Sequence, residues 1–246
     1  MSVYAFSDLH GRYDLWLKIL DYVSPEDWLI SLGDNIDRGS AGYKLWESIW
    51  GRNRTISLMG NHERMAVDAI PFLSSGRFYI DSVNLWFSNG GNETWSDIEG
   101  RGQSNISNFL WTLRGLNQSF IYVNKNNQKI ILDHAGFTLG LESNAKPLWD
   151  REHFYDKWPS GDEVLNADKT FIIHGHTPVQ YMYKKYCIHN KDGNNFDGIN
   201  PNICRYCDGH KFNIDLGSFA SGRVALLDLD TFEVKYFEAE NNVRQT

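Results

Sequence analysis

Short apolar runs alternate with helix-spaced apolar positions through the first third of the chain. Val3 to Phe6 is the first run, and Leu15, Trp16, Ile19, Leu20 and Val23 then recur on one helical face. Trp28 to Leu32 is a second run, followed by Leu45, Trp46, Ile49 and Trp50 at helical spacing. Thr55 to Leu58 is a third, with a helix starting near His62. This strand–helix series predicts a layered α/β sheet.

Beyond it the periodicity weakens. Asp81 to Asn117 is rich in Gly, Asn, Ser and Trp and reads as a loop-and-helix region over one end of the sheet. Phe120 to Val123 and Lys129 to Asp133 flank Asn124-Lys125-Asn126-Asn127-Gln128, which predicts a hairpin. Thr170 to Ile173 is another strand, and Phe212 to Leu216, Arg223 to Leu229 and Glu233 to Phe237 read as a closing antiparallel set. Residues 186–210 are polar and turn-rich, an insertion within a single domain of 246 residues.

Composition narrows the class. Charged residues make up 22% and hydrophobic ones 41%, as in water-soluble globular proteins. The net charge of −7 argues against a nucleic-acid-binding surface. The N-terminus lacks the charged and apolar regions of a secretory signal, and no window reaches a membrane-spanning length, so a cytoplasmic location is expected.

The polar chemistry collects where apolar runs stop. Ser7-Asp8-Leu9-His10-Gly11, Gly33-Asp34-Asn35-Ile36-Asp37-Arg38-Gly39 and Gly60-Asn61-His62-Glu63 close the first three runs. Asp133-His134-Ala135-Gly136 and His174-Gly175-His176-Thr177-Pro178 close two later ones. Any one alone is an ordinary turn; together they belong where ligands sit in α/β sheets, beyond the carboxyl ends of strands. Carboxylate with imidazole suits manganese, iron or zinc better than calcium. Asp8, His10 and Asp34 would hold one ion, and Asp34, Asn61, His134 and His176 the other, with Asp34 shared.

These five motifs resemble the phosphoprotein phosphatase branch of the calcineurin-like metallophosphoesterases, and are most similar to the small phage and bacterial serine/threonine phosphatases. The match spans residues 7 to 178, and the closing strands extend it to about 237. The resemblance implies a four-layer α/β/β/α sandwich around a central mixed β-sandwich, and a hydroxide held by two divalent ions, manganese foremost. It implies His62 as general acid, Asp37 as the group that orients it, and Arg38 and Arg151 as phosphate-binding residues, Arg151 through its Trp149-Asp150-Arg151 context. Phosphoserine or phosphothreonine proteins are the implied substrates, phosphotyrosine a further one; a dinucleoside polyphosphate or other nucleotide at the same site is the competing class. A catalytically dead metal-binding module would require a lost ligand or a lost His62, and none is lost.

Two positions depart from the pattern. Ser7 stands where the family usually has Gly, and Met59 where related enzymes often carry Arg. His174 usually corresponds to an apolar residue, so it either supports the site or simply packs. Late in the chain Cys204 and Cys207, with His210 downstream and Cys187 or His189 upstream, have a spacing compatible with a structural zinc; two thiols in a surface hairpin are the other reading.

Overall fold

The computed structural model describes residues 1–139, 148–151, 153–155, 158–160, 166–185 and 201–240. One sheet contains β1 (Val3–Phe6), β2 (Trp28–Ser31), β3 (Thr55–Ser57), β9 (Arg223–Asp228) and β10 (Val234–Glu238), in the order β10-β9-β1-β2-β3. Its β1, β2 and β3 are parallel, while β9 and β10 return antiparallel. The other contains β4 (Ser119–Val123), β5 (Lys129–Asp133), β6 (Thr170–His174), β7 (Cys204–Tyr206) and β8 (Lys211–Asn213), in the order β4-β5-β6-β8-β7. There β5, β6 and β8 are parallel, and β4 and β7 are antiparallel edges.

The apolar runs are continuous because the strands are covered on both faces. Val3, Ala5, Ile30, Ala225 and Leu227 point into the core shared with Ile130, Leu132, Phe171, Ile173 and Phe212 of the second sheet. Their neighbours Phe6, Leu29, Val224 and Leu226 point outward, against Leu15, Trp16 and Ile19 of α1 (Tyr13–Tyr22) and Leu45 and Ile49 of α2 (Gly42–Gly51). On the outer face of the second sheet α7 (Val179–Lys185) brings Met182 against Asn213, and a 3₁₀ turn at His153–Tyr155 brings His153 over Tyr206 and Lys211. The helix–sheet–sheet–helix layering expected from the resemblance is therefore present.

The middle of the chain is more helical than its pattern suggests. After α3 (Asn61–Leu73) come α4 (Asp81–Ser88), α5 (Gly91–Glu99) and α6 (Gln103–Arg114). Each contributes only a short stripe: Val83 and Trp86, Trp95 and Ile98, Ile106, Phe109 and Leu113. Gly90 (φ 93°) and Gly102 (φ 89°) break the chain between them, so no long window shows a helical period. The closing set is also partly reassigned. Only β9 and β10 close the first sheet, whereas the strand at Lys211–Asn213 joins the second, parallel to β6. Within the presumed insertion, residues 186–200 lie outside the described residues, and from 201 onward the chain forms the β7–β8 hairpin.

Candidate active site

Parallel strands deliver their motifs to one edge, and five loops meet there. Backbone bonds join them: Asp8 N–H donates to Gly33 O (3.1 Å), His10 N–H to Asp34 O (3.0 Å), and Gly175 N–H to His134 O (2.8 Å). The chain is bent hard to achieve this. Asp8, His10, Asp34, Asp37, Arg38 and His176 all have positive φ, between 45° and 71°, a region non-glycine residues rarely occupy. Strain of this kind, held by the surrounding structure, concentrates at functional sites.

Asp34 stands at the centre. Its Oδ1 accepts the N–H of His62 (2.9 Å) at the start of α3. Its Oδ2 faces two clusters at once, 3.8 Å from His10 Nε2, 3.9 Å from His62 Nε2 and 3.4 Å from His134 Nε2. His10, Asp34 and His62 form one group of potential ligands, and Asp34, His134 and His176 another. Asn61 completes the second, its Oδ1 lying 2.9 Å from both His134 Nε2 and His176 Nδ1. The Asp8 carboxylate is buried beside them, taken by the Ser7 hydroxyl and by the N–H of His176 (3.1 Å). Ser7, the residue replacing the usual glycine, thus bonds a predicted ligand directly.

Charge separates these donors. Burial works against the Asp34 carboxylate, but His134, His62 and His10 outweigh it and hold its pKa well below the ordinary range. Burial opposes a proton on His134, but Asp34 prevails and raises it to about 10. His10 is pushed well down by burial and the neighbouring His62, and His176 falls to about 2, mainly through burial. An anionic oxygen among clustered imidazoles, with His10 and His176 of lowered basicity, is a donor set for divalent cations, which compete with protons for such ligands. His176 Nε2 is buried with no hydrogen-bond partner, so the site contains a polar atom that the protein itself leaves unsatisfied. The residues present therefore fit a two-ion centre.

Beside it lies a chain of three groups. Asp37 Oδ2 accepts from His62 Nδ1 (2.7 Å) and from Trp86 Nε1 (2.8 Å), while Asp37 Oδ1 accepts from the Thr94 hydroxyl (2.8 Å). Burial opposes a charge on His62, but Asp34 and Asp37 raise its pKa above the ordinary value. On the far side Arg38 donates to His62 Nε2 (3.1 Å). Arg151 is exposed, near enough for its charge to contribute to the depressed pKa of His176. Met59 is buried, so no basic group comes from that position.

Three supporting residues were not singled out from the sequence. Glu63 is buried and accepts the N–H groups of Asp34 (2.8 Å), Asn35 (2.8 Å) and Gly60 (3.1 Å), stitching the second motif to the third. Its place three residues after Gly60 is the helix-start position where Glu reaches back to the backbone, a signal readable in sequence. Trp86 sits in the unperiodic middle and carried no signal. Asp215 accepts from Gly217 N–H (2.7 Å), and burial, reinforced by the nearby Asp8 charge, raises its pKa well above the ordinary carboxylate range. It follows β8, and recognising that strand as parallel to β6 would have revealed a sixth strand-end motif, closed by an acid.

The zinc reading of the late cysteines is not supported. His210 is stacked between Trp158 and Phe171 with Nδ1 on Thr170 O (2.9 Å), and Cys204 is packed in the core. Among the described residues neither cysteine nor His210 belongs to a group of potential ligands, and Cys187 lies outside them. The cause is register: Cys204 pairs with Asn213 and points into packed protein, away from the turn.

A two-sheet sandwich with acidic and imidazole loops at its edge defines a phosphoester hydrolase. The chain belongs to the calcineurin-like phosphoesterase family, which it matches over residues 1–216. It is 30% identical over 192 residues to serine/threonine-protein phosphatase 2 of Salmonella typhimurium, covering 73% of this chain and 81% of that protein. It is similarly 30% identical to serine/threonine-protein phosphatase 2 of Escherichia coli, covering 71% and 78%. A putative diadenosine tetraphosphatase shares the fold (TM-score 0.58, 11% identity, 97% of this chain and 94% of that one). So does a protein serine/threonine phosphatase from Saccharomyces cerevisiae (TM-score 0.54, 15% identity, 97% and 80%).

Proposed function

We propose that this phosphoesterase is a protein phosphatase hydrolysing phosphoserine and phosphothreonine monoesters, with manganese as its ion and iron or zinc as alternatives. One observation carries the reading: the Asp37–His62–Arg38 chain stands against Asp34, where the two ligand groups meet. Asp8, His10 and Asp34 would hold one ion, with His62 the fourth group facing that position; Asp34, Asn61, His134 and His176 would hold the other. Two divalent cations held there would supply Lewis-acid activation of water and offset phosphate charge.

The protein's own groups do the rest. Asp37 fixes the His62 ring, so its Nε2 is the nitrogen left to face a leaving oxygen. In the arrangement seen here Arg38 lies 3.1 Å from Nε2. An arriving phosphate draws the Arg38 guanidinium onto its oxygens, and Asp34 and Asp37 then favour a proton on Nε2, ready to pass to the departing alkoxide. Arg151 meets the phosphate from the solvent side.

The groove beside Arg38, about 530 Å³ and lined by Arg12, Tyr13, Asp14, Glu93 and Phe219, is open and mixes charged side chains with apolar surface. Such a groove suits a polypeptide flanking a phosphorylated side chain. The named relatives at 30% identity are protein phosphatases, whereas the diadenosine tetraphosphatase likeness, at 11%, concerns the fold alone. Initial rates on phosphoserine, phosphothreonine and phosphotyrosine peptides, diadenosine tetraphosphate and an aryl phosphate, each with added Mn²⁺, test the reading. A higher kcat/KM on the dinucleotide than on any phosphopeptide would replace it with the nucleotide reading.

A further inference from the structure

The Cys204–His210 segment contributes to a buried hydrogen-bonded chain. Tyr206 on β7 and Lys211 on β8 face each other across the hairpin and point to the outer side of the second sheet. There Tyr206 Oη lies 2.6 Å from His174 Nε2 and 3.1 Å from His153 Nδ1, and Lys211 Nζ donates to His153 O (3.1 Å). His153 Nε2 in turn reaches Ala135 O (2.8 Å). All four side chains are within 6% of full burial.

Proton counting gives this chain a direction. A carbonyl only accepts, so His153 Nε2 carries the proton to Ala135 O. Burial and the Lys211 charge keep His153 neutral, so its Nδ1 accepts the Tyr206 hydroxyl proton. The Tyr206 oxygen is then free to accept from His174 Nε2–H. The order is His174 to Tyr206 to His153 to Ala135, which leaves the 3.1 Å approach of His174 Nδ1 to Gly175 O without a proton.

Both ends of the chain are joined to ligand loops. Ala135 follows His134, and His174 stands two residues before His176. The same place is packed to its limit, because a Cβ on Gly136 would come 2.5 Å from the His153 ring and 3.0 Å from that of His174. We propose that Tyr206 and His153 are positioning residues for the second ion: they lock the His134 loop and the end of β6 at the spacing that brings His134 and His176 together on Asn61. This rests on the assignment of those residues as ligands.

Tyr206→Phe removes the hydroxyl that links the two imidazoles. Mn²⁺ binding to the stripped protein, followed by calorimetry and by electron paramagnetic resonance, is the direct test. For wild type two ions are expected. In Tyr206→Phe one of them should bind about 10–100-fold more weakly, the usual effect of losing a group that orients a ligand, with the other unchanged. His153→Ala should behave likewise, and His153→Gln, whose amide can still donate to Ala135 O, should recover most of the loss. Should Tyr206→Phe aggregate, the His153 pair gives the same comparison. A lowered melting temperature with wild-type Mn²⁺ isotherms, or equal loss in His153→Gln and His153→Ala, would overturn the proposal. Wild type binding no Mn²⁺ at all would instead overturn the ligand assignment, and this inference with it.

Discussion

Asp37 accepts the Nδ1 proton of His62 at 2.7 Å, and both side chains are almost completely buried. A histidine so held has one free nitrogen and one orientation. Replacing His62 with Asn should lower turnover on phosphopeptides by roughly 10²–10⁴-fold, the scale of general acid catalysis, with Mn²⁺ content retained. The loss should shrink on aryl phosphates, whose leaving groups need no proton. Because His62 Nε2 also lies 3.9 Å from Asp34, metal analysis of the variant is essential: emptied sites would make His62 a ligand instead.

The same pair sets a pH dependence. Burial disfavours the His62 cation, yet Asp34 and Asp37 together raise its pKa above the ordinary histidine value. Activity that needs this proton is present below the raised value and falls as pH rises through it. Asp37→Asn removes one of the raising charges, so the alkaline limb of kcat/KM on a phosphoserine peptide should move to lower pH. A limb that stays in place would show that another group is titrating.

Asp34 offers Oδ2 to both ligand groups, which makes it the one residue whose loss should empty two sites. Asp34→Asn keeps the size and the acceptor for His62 N–H but loses the charge. Metal analysis after dialysis should find neither ion retained, whereas His176→Asn should lose only one. Chelator treatment of wild type should abolish turnover and Mn²⁺ should restore it; full activity in thoroughly stripped protein would dismiss the two-ion mechanism.

Arg38 and Arg151 separate by their surroundings. Arg38 already touches His62, while Arg151 is exposed. Each alanine variant should lose roughly 10–10³-fold in kcat/KM, as expected for charge-assisted donors to a phosphoryl group, and inorganic phosphate should inhibit each less well. If both hold the same phosphate, the double variant should lose less than the product of the two. Steady-state kinetics giving wild-type constants and unchanged phosphate inhibition in Arg151→Ala would leave Arg38 as the sole clamp.

The strand-end motifs were readable because a strand followed by a polar turn has one local cause, repeated along the chain. Asp8, Asp34 and Asn61 each close an apolar run, and parallel pairing of β1, β2 and β3 then brings them to one edge. The helix-start role of Glu63 was readable for the same reason. Short stripes such as Trp95 with Ile98 were not, since a one-turn pattern between glycines has no period to detect.

Residue order therefore determined the donors, their sequence and the doubly covered strands, all of which depend on neighbours a few positions apart. Tertiary structure decided what depends on distant partners. His174 and His176 are two residues apart, yet positive φ at His176 (68°) turns it to Asn61, while His174 stays with Tyr206 across the sheet. Cys204 and His210 have a metal-like spacing, but pairing with β8 buries Cys204, and half-buried His210 stacks on Trp158. Spacing fixes which groups can meet; only the packing of the second sheet against its neighbours sets the direction in which each one points.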